Sequence, residues 1–112
     1  MKKGDLYLAN LNPKFGHEQS GFRPVIIMQN DLLNPHLSTI ICIPVTKNLR
    51  YSTLPYCVTL PATEGGLKQD SVALAHQLRV LDKRRLTRAL GALSREKLLE
   101  LEETVSFTLG LT

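Results

Sequence analysis

Tryptophan is absent from this chain of 112 residues, and only 5% of its residues are aromatic. Proteins that hold single-stranded nucleic acid without sequence preference commonly stack successive bases on aromatic rings, and this chain has few rings to offer. Its apolar runs are far shorter than the roughly 20 residues of a membrane-spanning helix. Met1-Lys2-Lys3 is followed at once by Gly4-Asp5 rather than by an apolar stretch, so no export signal is expected.

Cysteine is scarce as well, with only Cys42 and Cys57 in the chain. The two form no C-x-x-C pair and have no histidine at the spacing of a metal site. Cys42 lies in an apolar run, where a thiol usually acts as a small buried hydrophobe. We therefore predict structural thiols, no metal, no cofactor, and a reducing, cytoplasmic compartment without membrane attachment.

The overall composition is that of an ordinary globular protein, with 43% hydrophobic and 21% charged residues. The length predicts a single domain over residues 1–112 that can bury a core without disulfides. A net charge of +4 and a pI of about 9.3 favour polyanionic partners. A charge of this size also serves solubility alone, so it does not decide the function.

Short apolar runs bounded by turn residues predict an α+β domain that is mostly β. The predicted strands cover residues 6–9, 25–29, 39–45, 55–60, 71–75 and 77–81. Residues 10–22 contain Pro13, Gly16 and Gly21 and are predicted to form a long irregular loop. Gly65-Gly66 marks a turn.

One long helix is predicted at the C-terminal end. Ser94 is a suitable N-cap, and Gly110 stands where a left-handed C-cap is common. Between them an apolar stripe recurs at helical spacing and is expected to pack on the sheet, unless a partner covers it: Leu98, Leu101, Val105 and Leu109. Upstream, Asp82 is placed to cap a short helical turn through Arg85.

The segment before the second predicted strand concentrates polar side chains: Gly16-His17-Glu18-Gln19-Ser20-Gly21-Phe22-Arg23-Pro24. Its glycines permit close approach of a ligand to the backbone, and Pro24 favours an extended Arg23. A guanidinium at a sheet edge suits phosphate, because its planar fork makes two parallel hydrogen bonds. From this loop alone, an ordinary surface salt bridge is the simpler role for Arg23.

Thr46 ends an apolar strand, and its hydroxyl is expected to emerge where the chain leaves the core. There it can donate a hydrogen bond to a phosphate oxygen. A threonine at a strand end more often bonds the local backbone, so that alternative stays open.

A series of segments matches one known family in order and spacing: Gly4-Asp5-Leu6-Tyr7, Leu11-Asn12-Pro13, Gly16-His17-Glu18-Gln19, Gly21-Phe22-Arg23-Pro24-Val25, Gln29-Asn30-Asp31, Pro44-Val45-Thr46, Leu54-Pro55, Asp70-Ser71-Val72-Ala73-Leu74, Gln77-Leu78-Arg79 and Ser106-Phe107-Thr108-Leu109-Gly110-Leu111. In these segments the sequence resembles the MazF/PemK toxin family over nearly its whole length. The G-H-E-Q-x-G-x-R-P element is the most specific of them.

The resemblance implies an SH3-like small barrel, a twisted antiparallel sheet with a C-terminal helix, assembled as a homodimer. It also implies a sequence-selective endoribonuclease that cleaves single-stranded messenger RNA without metal and leaves 2′,3′-cyclic phosphate and 5′-OH ends. The protein partner would be a small MazE-like antitoxin. The family's catalytic Arg and Thr fall on Arg23 and Thr46.

The general base is open between His17, His76 and neither. A neutral imidazole near pH 7 suits proton abstraction, and His17 lies in the polar loop, where family members carry His or Ser. His76 stands where related sequences typically have Asp or Glu. It is therefore either a titratable group near the RNA or a neutral surface change.

Polar residues at the predicted loop edges are candidates for RNA contacts, because such side chains can read splayed bases: Gln19, Ser20, Lys47 and Gln77. A basic cluster is predicted to be a solvated face, or else to guide RNA or an acidic antitoxin tail: Lys83, Arg84, Arg85 and Arg88. Two rival functions suit the same fold, a CcdB-like toxin that inhibits DNA gyrase without catalysis and an inactive interaction module. Arg23 and Thr46 together favour the enzyme.

Overall fold

The computed structural model describes residues 1–13 and 15–111, and its chain forms antiparallel strands followed by one long helix. Lys14, in the predicted loop, and Thr112 lie outside the described residues. The elements are β1 (Asp5–Asn10), β2 (Phe22–Ile27), β3 (Thr39–Thr46), β4 (Cys57–Leu60), β5 (Ser71–Leu74), β6 (Arg79–Asp82), β7 (Leu86–Ala92) and α1 (Arg95–Leu109). The predicted fold class, mostly β with a C-terminal helix, is confirmed.

Five of these strands curl into a small open barrel. Their order is β6-β3-β2-β1-β7, all antiparallel, yet the outermost strands β6 and β7 are joined by only the 3₁₀ turn Lys83–Arg85. A sheet whose two edges are joined by so short a connection must curve back on itself. Buried aliphatic side chains of one sheet face fill the interior, among them Ala9, Val25, Ile27 and Ile40.

Strand β3 also belongs to a second, smaller sheet. Its first half pairs with β6, whereas Val45 and Thr46 pair with β5, which in turn pairs with β4. The outer face of the barrel, this second sheet and α1 enclose the larger core, which includes Leu6, Ile43 and Leu101. Strand β3 therefore runs through the centre of the molecule.

Strand β2 begins and ends earlier than predicted. It runs from Phe22 to Ile27, so Pro24 lies within it and Gln29 lies beyond it. The proline is tolerated because β3 pairs with β2 only from Val25 onward, so the absent N–H removes no bond between those strands. Gln29 is buried, and its side-chain amide donates to Asn34 Oδ1 at 3.0 Å.

The region after β4 differs most from prediction. Residues 75–77 form a 3₁₀ turn rather than strand, β4 starts two residues later than predicted, and β6 extends over Arg79–Asp82. The predicted cap is confirmed, since Asp82 accepts a hydrogen bond from Arg84 N at 2.9 Å. Strand β7 was not predicted, because its side chains are mostly exposed and lack a regular alternation of polar and apolar residues.

Helix α1 follows its local signals closely. Ser94 Oγ accepts from Lys97 N at 3.2 Å, and Gly110 adopts the left-handed conformation at φ 72°. The helix packs on β4 and on the Ala75–Gln77 turn, which buries Leu101 and leaves Leu109 54% exposed. The prediction that the whole stripe is covered by the sheet is thus wrong at its last residue. No helix in the described part of the chain is long and apolar enough to cross a membrane.

Candidate functional site

Arg23 is the second residue of β2 and pairs with Ala9 of β1. Its Nε donates a hydrogen bond to the carbonyl oxygen of Ser20 at 2.8 Å. Among the described residues its two Nη groups have no partner, and no carboxylate forms an ion pair with it. Arg23 therefore does not form the surface salt bridge that was the simpler expectation, at least with the described residues. The Nε anchor fixes the guanidinium and leaves its outer fork available to an anion.

Thr46 lies close to Arg23 in the strand register. Val25 of β2 pairs with Pro44 of β3, so Arg23 and Thr46 are the next positions on the same face of the two strands. Thr46 is only 5% exposed, so the expectation that its hydroxyl emerges from the core is wrong. Its Oγ1 accepts from Asn48 N at 3.2 Å, which is the local backbone bond of the alternative interpretation, and its hydroxyl hydrogen has no acceptor among the described residues.

Gln77 holds the polar loop against the rest of the fold. Its Oε1 accepts from Gln19 N at 3.1 Å, and its Nε2 approaches the carbonyl oxygen of His17 at 3.5 Å. At the other end of the loop, Asn12 Oδ1 accepts from Gly21 N at 3.0 Å. Gln19, Ser20 and Arg23 are therefore placed by the same set of hydrogen bonds.

The two histidine candidates are both exposed but differ in their contacts. His17 is exposed, and its ring makes no hydrogen bond with the described residues. His76 lies edge to face with the Tyr56 ring, 4.6 Å between centroids at 68°, and its Nδ1 is 4.0 Å from the Cys57 thiol. Desolvation lowers the pKa of His76 below its ordinary value, which favours the neutral imidazole near pH 7.

His76 and Gln77 also share a small pocket of about 220 Å³. Its other lining residues bring a carboxylate, a guanidinium and an aliphatic group from the loop and from the start of β6: Glu18, Leu78 and Arg79. Hydrogen-bond donors and acceptors thus converge beside the loop that leads to Arg23.

Residues 2–109 match the family model described as PemK-like, MazF-like toxin of type II toxin–antitoxin system. The chain belongs to this family. It is 40% identical to the endoribonuclease MazF of Staphylococcus epidermidis, over 99% of this chain and 92% of that protein. The solved MazF of Deinococcus radiodurans superposes with a TM-score of 0.82 at 32% identity, covering 98% of this chain and 96% of that one.

A MazE–MazF complex from Deinococcus radiodurans also resembles the toxin. The match has a TM-score of 0.78 at 32% identity, and it covers 100% of this chain and 97% of the chain in that structure. The observed sheet and helix are therefore those of the family.

Lys47 was predicted to contact RNA, but it does not lie with the other candidates near Arg23 and the polar loop. Side chains alternate along a strand, so Lys47 continues the face of Val45 rather than that of Thr46. Both Lys47 and Val45 line a groove together with Pro24, on the other side of the sheet from Arg23.

The basic cluster is largely occupied with local structure. Lys83 Nζ donates to the Asn34 carbonyl, and Arg84 pairs with Asp82 at 3.0 Å. Arg85 Nη1 donates to the carbonyl oxygens of Asn10, at 3.1 Å, and Asn12, and so supports the start of the loop. Of the four cations, only Arg88 makes no side-chain hydrogen bond or ion pair with the described residues.

Sequence reasoning missed the supporting roles of Arg85 and Gln77 toward the loop. Each contacts a segment more than fifty residues away, at separations of 75 and 58 residues. No local pattern signals such contacts.

Both cysteines are buried and free, as expected of structural thiols. Burial raises the pKa of Cys42 to about 12, against a smaller opposing effect of Arg79, and burial also raises the pKa of Cys57. Neither thiol is therefore disposed to form a reactive thiolate. No three His, Cys, Asp or Glu side chains within residues 1–13 and 15–111 are grouped as metal ligands would be.

Proposed function

We propose that this toxin is an endoribonuclease that cuts single-stranded messenger RNA in the cytoplasm without a metal ion. The observation that carries the proposal is Arg23, held through Nε with both Nη groups unpaired among the described residues, beside Thr46 on the neighbouring strand. The name of the staphylococcal relative supports the reaction class. The MazE–MazF complex supports a MazE-like antitoxin as partner, and we propose a homodimer as the acting form.

The proposed reaction needs no reactant other than the RNA itself. The ribose 2′-oxygen attacks the adjacent phosphorus and loses its proton to a base, and the bond from phosphorus to the 5′-oxygen breaks. A proton from water reaches the departing 5′-oxygen, and the protonated base later releases its own proton to water, so no net proton is consumed. The products are a 2′,3′-cyclic phosphate on one fragment and a 5′-OH on the other.

Arg23 supplies the electrostatic stabilisation in this proposal. Its two Nη groups donate to the non-bridging phosphate oxygens, on which negative charge grows in the transition state, and such preorganised donors are usually the largest catalytic contribution. A guanidinium does not readily release its proton, so we assign Arg23 the role of phosphate clamp rather than general acid. The Thr46 hydroxyl donates to the same phosphate.

The polar loop and the pocket beside it would hold the bases next to the cut. Gln19, Ser20 and Gln77 carry donors and acceptors suited to the edges of unstacked bases. His76 contributes a neutral nitrogen in the same pocket, and we propose it as the general base, with His17 as the second candidate. Lys47 lies on the opposite face of the sheet from Arg23, so it is not expected to contact the same bases.

The deciding experiment is incubation of the purified protein with a long RNA in EDTA, followed by mapping of both cut ends. The proposal requires cuts at a defined sequence, with 2′,3′-cyclic phosphate and 5′-OH termini. Intact RNA, together with inhibition of gyrase in a supercoiling assay, would instead support the CcdB-like alternative. Intact RNA and unaffected gyrase would leave only the interaction module.

Thr46→Val is expected to slow cleavage by about tenfold to a hundredfold, because it removes one donor to the phosphate while keeping the shape of the side chain. Thr46→Ser keeps the hydroxyl and is expected to stay within a few-fold of the wild type. Single-turnover cleavage rates measure both variants, and thermal unfolding checks that the buried substitution leaves the fold intact. Equal rates for the Val and Ser variants would remove Thr46 from the reaction.

The wild-type cleavage rate is expected to rise with pH through an ionisation below the ordinary histidine value, because desolvation lowers the pKa of His76 and its neutral form is the active one. His76→Gln should lose this limb of the profile, and His17→Gln should retain it. Rates measured from mildly acidic to neutral pH decide between them. An identical limb in His76→Gln would reduce His76 to a surface residue.

A further inference from the structure

A cavity of about 400 Å³ lies at the end of the second sheet. It opens where β4 ends and β5 begins, between the 3₁₀ turn Leu49–Tyr51 and the first turn of α1. Its volume is within the range of small-molecule sites in proteins, about 300–1,000 Å³. None of the residues proposed for RNA cleavage or for base contacts lines it, so the cavity is separate from the candidate active site.

Two opposite charges line this cavity and do not pair with each other. Asp70 is exposed, and its Oδ1 accepts a hydrogen bond from Ala62 N at 2.8 Å, which holds the carboxylate just beyond β4. Asp70 forms no ion pair with the described residues. Lys97 pairs with Glu100 at 3.0 Å, and that contact uses one of the three N–H groups of the ammonium. A ligand in the cavity therefore meets one carboxylate and one ammonium, each with bonding capacity left.

The rest of the lining combines hydroxyl groups with aliphatic side chains. Ser71 is buried, and its Oγ donates to the carbonyl oxygen of Gln69 at 2.9 Å, so the same oxygen can still accept a hydrogen bond. Ser52 and Thr59 add two further hydroxyls. The aliphatic members of the lining are Leu49, Leu60 and Pro61. The cavity thus offers charged, polar and apolar contacts to one small molecule.

The charges of the lining favour a zwitterion over an ion of one sign. A lone anion such as inorganic phosphate meets a single ammonium that is already shared with Glu100, and it also meets the Asp70 carboxylate. A lone cation leaves Lys97 unmatched. A nucleobase finds no aromatic side chain in the lining on which to stack. A molecule that carries both an ammonium and a carboxylate satisfies the two charges together.

We propose that this cavity binds a free α-amino acid with an aliphatic side chain. The ammonium of the ligand donates to Asp70, and its carboxylate accepts from Lys97 and from the neighbouring hydroxyl groups. Its side chain packs on the aliphatic part of the lining. The toxin therefore has a small-molecule site in addition to the site proposed for RNA.

The test is titration of the isotope-labelled protein with leucine, followed through the NMR signals of the backbone amides. Saturable shifts are expected at Leu60, Ser71 and Lys97, which line the cavity. Asp70→Asn removes the charge but keeps Oδ1 as the acceptor for Ala62 N, and Lys97→Met removes the ammonium but keeps an unbranched apolar side chain. Each is expected to weaken leucine binding by about tenfold, through loss of one charged hydrogen bond.

The matched controls are Arg95→Met and Glu96→Gln. Each removes a charge from an exposed residue in the same turn of α1 as Lys97, outside the lining of the cavity. Each should change leucine binding by less than about twofold. The amide spectrum of every variant also shows whether its fold is intact, so lost binding is distinguished from lost structure.

Two analogues of leucine test each charged contact from the side of the ligand. Leucinamide lacks the carboxylate and isocaproate lacks the ammonium, and each should bind the wild type about tenfold more weakly than leucine. Lys97→Met should not weaken leucinamide further, and Asp70→Asn should not weaken isocaproate further, because the contact in question is already absent.

Three results would overturn the proposal. They are the absence of saturable shifts with leucine, shifts confined to the loop that leads to Arg23, and equal affinity for leucine and isocaproate. The titration contains no RNA, so a protein that binds leucine but cuts no RNA would refute the proposed function and leave this site standing.

Discussion

Arg23→Lys is expected to lower the rate of RNA cleavage nearly as far as Arg23→Ala does, by about a hundredfold or more in each case. Lysine keeps the positive charge but has no planar fork and cannot donate two parallel hydrogen bonds to one phosphate. It also has no Nε–H for the anchor on the Ser20 carbonyl, which holds the guanidinium at 2.8 Å. The ammonium is therefore both weaker as a clamp and less well positioned.

Single-turnover cleavage of a long RNA in EDTA measures this effect. Arg84→Lys is the matched control, because Arg84 is exposed, pairs with Asp82 and has no proposed part in the reaction. The cleavage rate of Arg84→Lys should equal that of the wild type. Full activity of Arg23→Lys would show that charge alone suffices and would end the role of Arg23 as a phosphate clamp.

Gly66→Ala is expected to lower the free energy of unfolding by about 3 kcal/mol or more. Gly66 adopts φ +80°, and a Cβ there would stand 2.0 Å from the carbonyl oxygen of Leu90 in β7. A backbone atom cannot move aside as a flexible side chain can. The substitution therefore forces the turn at Gly65-Gly66 away from β7.

Gly21→Ala separates this clash from backbone strain. Gly21 has almost the same backbone angle, φ +77°, but a Cβ there meets nothing within 4 Å. It is expected to cost only about 1 kcal/mol, the price of placing a side chain in the left-handed region. Denaturant unfolding of both variants gives the comparison, and equal losses of stability would mean that the turn yields to the added methyl group.

The candidate site could be predicted only in part. The glycine-framed loop and the family resemblance together point to Arg23, although from the loop alone a surface salt bridge is the simpler role. The folded chain shows the Nε anchor of Arg23 and, within residues 1–13 and 15–111, no partner for its Nη groups. Thr46 was expected to be exposed, and it is buried because the end of β3 pairs with β5 inside the second sheet.

The placement of the other candidates depended on strand faces and long-range contacts. Lys47 follows Thr46 in sequence, yet the alternation of side chains along the chain sets it in the groove on the other side. Gln77 was proposed as a base-reading residue, and it also fixes the loop through Gln19 N. Such a contact across 58 residues leaves no trace in either local segment.

The sequence by itself determined the features that depend on neighbouring residues. Helix α1, with its caps at Ser94 and Gly110, follows from hydrogen bonds and backbone angles within a few residues. The buried strand β3 follows from a continuous apolar run, and the mostly-β class follows from several such runs separated by turns.

Tertiary structure alone decided the rest. Strand β7 forms because β1 offers a partner and the Gly65-Gly66 turn packs on it, although its own residues are mostly exposed. Lys83, Arg84 and Arg85 are held by local bonds because the fold brings carbonyl or carboxylate oxygens near them. Pairing and charge balance are properties of segments distant in the chain, and a sequence pattern records only what lies close along it.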